Sequence, residues 1–111
     1  RDVLLYLDDI LDCICRIQEY TEGVSEDDFC QSPLLQDAVI RRLEVIGEAT
    51  KHVPNRLRAK YPEVPWQDVV AMRNRLTHEY FSIQLRRAWK VIQQDLPDLE
   101  ANILRIKQDV S

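Results

Sequence analysis

Four residues within eight positions, Arg73, Asn74, His78 and Tyr80, combine an arginine, an amide, an imidazole and a phenol in the segment Met72-Arg73-Asn74-Arg75-Leu76-Thr77-His78-Glu79-Tyr80-Phe81. These groups suit phosphodiester chemistry on RNA. A histidine titrates near neutral pH and can accept the proton of a 2′-hydroxyl. An arginine fork matches two oxygens of a phosphate and stabilises the charge that develops on a phosphorane. Asn74 can hold an imidazole tautomer or a phosphate oxygen. None of this requires a metal, and no carboxylate cluster with metal-ligand spacing accompanies the segment.

The helix that must position these groups is unusual. At about 100° per residue, Trp66, Val69, Val70, Met72, Leu76 and Tyr80 share one apolar face. Arg73 falls inside that face. A guanidinium on a packing surface is costly unless it meets an anion or a wet cleft. Gln67, Asn74 and His78 lie on the neighbouring face, and Arg75, Asp68 and Glu79 on the solvent side. Arg73 and His78 are separated by roughly 140° on a straight helix. They converge only through the reach of arginine, a break in the helix, or a second subunit that brings a copy of the motif across a two-fold axis. A structural role for His78, and a core role for Tyr80 on the apolar face, remain open on this reading.

A second arginine, Arg42, interrupts the apolar face of another helix. Its simplest explanation is one buried ion pair with an acid of the first helix. Glu48 lies on the flank of the same helix, where an arginine from a neighbour could reach it.

The supporting elements read as helices throughout. The spacing predicts a first helix from about Asp2 to Tyr20, with Val3, Leu7, Ile10, Leu11, Ile14 and Ile17 on one stripe. Gly23 offers a left-handed cap, and Ser25 begins a short capped turn. Ser32-Pro33 opens a helix that reaches about His52, with Leu35, Ala38, Val39, Leu43, Val45, Ile46 and Ala49 inward. Pro54 and Pro62 bracket a short basic helix with Arg56, Arg58 and Lys60, and Pro65-Trp66 opens the motif helix. From about Gln84 the apolar phase runs through Leu85, Ala88, Trp89, Ile92, Leu96, Leu99, Ile103, Ile106 and Val110. It therefore predicts a long helix kinked at Pro97, or two stacked helices with Pro97 at a helix start. No strand is convincing. The expected fold is an all-α, up-down helical bundle, a single domain over 1–111.

Composition narrows the class. The content is 45% hydrophobic and 31% charged, which is that of a globular domain. No apolar run approaches a membrane span, and no signal-peptide pattern is visible, so no membrane association is expected. The chain begins at Arg1 without a methionine, which suggests that a few leading residues are missing. Cys13, Cys15 and Cys30 are an odd set without metal spacing, read as free thiols in a reducing cytoplasm. Net charge is −4, yet residues 1–32 hold nine acids against Arg1 and Arg16, while residues 41–90 hold eleven basic residues against five acids. Such asymmetry fits an anionic ligand on one surface, although charged helices also simply show solvated faces.

The run Arg73 to Tyr80 resembles the R-x4-H-x-Y signature of the HepT-like toxins of the HEPN ribonuclease superfamily. Ala38-Val39-Ile40-Arg41-Arg42-Leu43-Glu44-Val45-Ile46-Gly47-Glu48-Ala49 is similar to a helical segment of that family. So are Val64-Pro65-Trp66 and Asp95-Leu96-Pro97, and the resemblance covers nearly the whole chain. It implies a homodimer whose paired motifs form a composite cleft, and a metal-independent endoribonuclease without cofactor, the toxin of a type VII toxin–antitoxin system. Arg73, Asn74 and His78 would be catalytic. Tyr80 would be the acceptor of AMP from a small nucleotidyltransferase antitoxin, MntA. Transfer RNA and messenger RNA are both plausible substrates. The rival classes are a non-catalytic helical adaptor or nucleotide-binding subunit of a nucleotidyltransferase complex, and a purely structural dimer.

Overall fold

The computed structural model describes residues 2–77 and 82–111, and the side chains of residues 2–72 and 85–111. Every element in these residues is helical, and none is a strand. Helix α1 spans Val3–Thr21, α2 Glu26–Cys30, α3 Pro33–Lys51, α4 Asn55–Lys60, α5 Trp66–Thr77, α6 Ser82–Lys90 and α7 Leu96–Val110. A π-helical turn, Val91–Asp95, joins α6 to α7.

Local chemistry sets most boundaries. The Asp2 carboxylate accepts from the Leu4 N–H at 3.1 Å and starts α1. Gly23 follows α1 at φ +72, the left-handed conformation that a side chain would strain. Ser25 Oγ accepts from the Asp28 N–H at 3.1 Å, and Ser32 Oγ from the Leu35 N–H at 3.2 Å. Pro33 occupies the first turn of α3, where its missing N–H has no helical partner to lose.

Pro97 stands at the start of a helix, in the first turn of α7, as one of the two expected forms has it, and a π-helical turn joins that helix to α6. Proline lacks an N–H, and its ring collides with the carbonyl four residues back, that of Gln93. The widened turn relieves this, and the Leu96 N–H donates to the Val91 carbonyl, five residues back. Lys90 and Leu96 keep right-handed helical angles at its two ends.

The core is the set of stripes anticipated above. Leu7, Ile10, Ile14 and Ile17 of α1 meet Val39, Leu43 and Ile46 of α3, and Leu96, Ile103 and Ile106 of α7, all completely buried. Val3, Leu11, Leu35 and Val45 pack at the margin, half-buried. Helix α3 packs against α1 on one side and α5 on another, while α7 covers α1. Gln18 bonds to Glu100 and Asp8 to Lys107, so α1 and α7 run antiparallel. Helix α2 is held by Phe29, whose ring lies 5.5 Å from Trp89, and by Arg86, which bridges Glu26 and Asp27 at 3.2 Å each. Buried Gln36 donates to the Phe29 carbonyl at 2.9 Å, tying α2 to α3. No helix among the described residues is long and apolar enough to cross a membrane.

Candidate active site

Helix α5 carries the first half of the motif, and its N-terminus is fixed by a set of contacts to α3 and α4. Trp66 is 7% exposed. Its indole N–H donates to the Tyr61 carbonyl at 3.0 Å and the Arg58 carbonyl at 3.2 Å. Arg58 in turn donates from Nη2 to the Thr50 carbonyl at 2.8 Å and from Nε to the Val53 carbonyl at 3.0 Å, satisfying the C-terminal end of α3. Its guanidinium carbon lies 6.0 Å from the centre of the Trp66 ring. Arg58 is therefore a bracket between α3, α4 and α5. The sequence placed it only in a short basic helix with Arg56 and Lys60; its partners are carbonyls, which leave no mark in a side-chain pattern.

From that fixed end α5 runs with Val69 buried and Val70 and Met72 half-buried, as the apolar face requires. Arg73 and Asn74 lie in its last turns. Their side chains, and His78 and Tyr80 entirely, lie outside the described residues. The convergence of Arg73 with His78, across a dimer axis or otherwise, lies there too.

Beside α5 opens a groove of about 990 Å³, walled on the far side by α6, the π turn and α7. Val69 and Met72 of α5 and Leu96 and Leu99 of α7 supply its apolar surface, and Arg87 and Lys90 of α6 its basic edge. Glu63 at its margin is held by Arg105, which also lies over the Tyr61 ring at 5.6 Å. Tyr61 donates to the Asp109 carboxylate at 2.7 Å, and this bond raises the phenol above its ordinary pKa.

The expectation for Arg42 is corrected. Among the described residues no acid of α1 lies within ion-pairing distance; its Nη1 donates instead to Cys13 Sγ at 3.9 Å. The half-buried arginine keeps its other N–H groups accessible, since no buried side-chain nitrogen or oxygen among the described residues lacks a partner. Burial pushes the Cys13 thiol up, and the Arg42 charge partly opposes it. Among the described residues Glu48 pairs within its own helix end, with Lys51 at 3.5 Å and His52 at 4.0 Å. His52, the other histidine, stacks on Tyr6 at 4.6 Å between ring centres. No group of His, Cys, Asp and Glu among the described residues could hold a metal ion.

These elements form an all-α helical bundle of the HEPN type. The family model for HepT-like ribonucleases matches residues 10–106, which include the whole motif, and the chain belongs to that family. It is 46% identical over 110 residues to a Methanocaldococcus jannaschii protein named for both γ-glutamylcyclotransferase and RNase. That alignment takes in 99% of this chain but 50% of the relative, so the chain spans about half the length of that protein. It is 39% identical over 103 residues to a ribonuclease HepT, by name, of Thermococcus cleftensis, covering 93% of this chain and 94% of the relative. A protein named as an RNase from Caldanaerobacter subterraneus is 40% identical over 103 residues, covering 93% and 92%. No solved structure matches the chain.

Proposed function

We propose that the chain is a metal-independent endoribonuclease, the toxin of a type VII toxin–antitoxin system. The observation that carries the reading is the family match over residues 10–106, with Arg73, Asn74, His78 and Tyr80 all in place within it. His78 accepts the 2′-hydroxyl proton, the freed oxygen attacks the adjacent phosphorus, and the 5′-oxygen of the next nucleotide leaves with a proton. Arg73 binds the phosphoryl oxygens through the charged intermediate, and Asn74 orients the imidazole or a phosphate oxygen. Two chains form the cleft as a homodimer, each contributing its motif. Transfer RNA and messenger RNA both offer the required 2′-hydroxyl.

Regulation falls to Tyr80. An MntA-like nucleotidyltransferase moves AMP from ATP to the phenolic oxygen and releases pyrophosphate. The added bulk and negative charge then bar RNA from the neighbouring cleft. Such a protein works in the cytoplasm, where its RNA and its partner are found.

The test is expression of the wild-type chain and of His78→Ala in cells that lack the antitoxin. Growth arrest with RNA fragmentation in the wild type, and neither with the soluble variant, supports the reading. Growth arrest by His78→Ala would remove the catalytic assignment.

A further inference from the structure

Twelve Lys and Arg side chains of the described residues can be sorted by what they touch. Arg16, Arg41, Lys51, Arg86, Arg105 and Lys107 pair with acids. Arg58 is spent on backbone carbonyls and Arg42 on a thiol. Four have no partner among the described residues: Arg56 and Lys60 on α4, and Arg87 and Lys90 on α6. All four are exposed. Only the second pair lines the groove beside α5.

We propose that Arg87 and Lys90 form a phosphate-contacting edge that positions single-stranded RNA as it leaves the motif end of α5. The inference rests on the ribonuclease reading above. Three observations support it. The two residues are three apart on α6, so they present adjacent charges on one helix edge, about 5–6 Å apart at Cβ. That edge belongs to the element that follows the motif directly in the chain, and the groove it borders has Met72, the neighbour of Arg73, in its opposite wall. The groove is also divided in charge, with Arg87 and Lys90 on its α6 side, Asp68 on the α5 wall, Glu63 neutralised by Arg105, and Asp95 and Asp98 toward α7. Asp95 and Asp98 line it beyond Lys90 with no partner charge among the described residues, so they repel a phosphate chain at the α7 end. The adjacent Arg86 pairs with Glu26 and Asp27 at the surface, Trp89 packs on Phe29 and Ala88 is buried, so α6 is anchored to the bundle. The edge is thus held in place before RNA arrives. The pair are positioning residues; they touch phosphates outside the reacting centre.

The test compares Arg87→Gln/Lys90→Gln with Arg56→Gln/Lys60→Gln, the pair on α4 that is likewise exposed and likewise without a partner among the described residues. Binding of a labelled, unstructured RNA oligonucleotide is titrated against salt in a His78→Ala background, and initial rates on pooled transfer RNA are taken in the wild-type background. Two lost contacts should weaken binding roughly tenfold at physiological salt and flatten the slope of log Kd against log salt by about 1.4. KM should rise by a similar factor with kcat within about twofold. The α4 pair should leave slope and KM unchanged. Unchanged slope and KM in the α6 variant, or equal losses in both variants, would overturn the proposal. So would a smaller oligomer by light scattering in the α6 variant, which would assign the edge to a subunit interface. If the unmodified chain neither binds nor cuts RNA, the ribonuclease reading itself fails; normal cleavage with an indifferent α6 pair defeats this inference alone.

Discussion

Arg58→Ala separates the arginines that build this bundle from those proposed to meet RNA. The substitution removes two charge-assisted bonds, to the Thr50 and Val53 carbonyls at 2.8 and 3.0 Å. Bonds to a charged group contribute about 1.5–3 kcal/mol each, but both carbonyls sit where water can partly replace the guanidinium. The lost stacking over Trp66 adds about 0.5 kcal/mol. A net cost of about 2–4 kcal/mol follows, a large share of the stability of a domain this size. Urea unfolding followed by helical circular dichroism, at one fixed protein concentration, is the assay. With a slope of about 1–3 kcal/mol per molar urea, the midpoint should fall by about 1–2 M with the slope unchanged. Arg58→Lys should recover less than half of the loss, because an ammonium cannot reach both carbonyls as a planar fork does. A loss of under about 0.5 kcal/mol in Arg58→Ala, or full recovery by lysine, would refute the bracket. In RNA binding, Arg58→Ala should leave the salt slope alone wherever it remains folded.

Other expectations follow from single features. Gly23→Ala should cost about 1 kcal/mol, read by the same urea titration, because φ +72 strains a side chain even though nothing lies within 4 Å of the added carbon. Tyr61 has a folded-state pKa raised by its bond to Asp109, so its contribution is complete below the ordinary phenol range and fades as pH rises through the folded value. Stability should therefore decline above about pH 10, and Tyr61→Phe should flatten that decline. Tyr80→Phe removes only the nucleophilic oxygen, so it should show no AMP mass shift with the cognate nucleotidyltransferase and ATP, and should stay toxic beside it. Modification mapped to Tyr6, Tyr20 or Tyr61 instead would reassign the acceptor.

The fold was legible where its causes are local. Ser25, Ser32, Pro33 and Gly23 act within a turn of themselves, and each marks a boundary where expected. The apolar stripes of α1 and α3 identify the core because burial follows the 3.6-residue period. The wide turn before Pro97 left no trace in the apolar spacing. Leu85, Ala88, Ile92, Leu96 and Leu99 keep steps of three and four, as in a regular helix. Reading that stretch as an unbroken phase concealed the extra residue. Arg42, which the sequence reading paired with an acid, and Arg58, to which it gave no partner, have partners that periodicity cannot point to: a thiol of another helix and backbone carbonyls. The motif was visible as residue types in order, and α5 is placed by Trp66 and Arg58; the arrangement of Arg73 and His78 lies outside the described residues, and helical phase alone does not define it.

The central claim is cleavage of RNA by the Arg73/His78 pair without a metal. It is tested most directly by incubating purified chain, free of antitoxin, with total cellular RNA in EDTA, beside His78→Ala of matched helical content. Discrete fragments from the wild type, and a rate lower by about 10²–10⁴ in the variant, are the expected result. Equal cleavage by the variant, or wild-type activity that EDTA abolishes and a divalent ion restores, would contradict it.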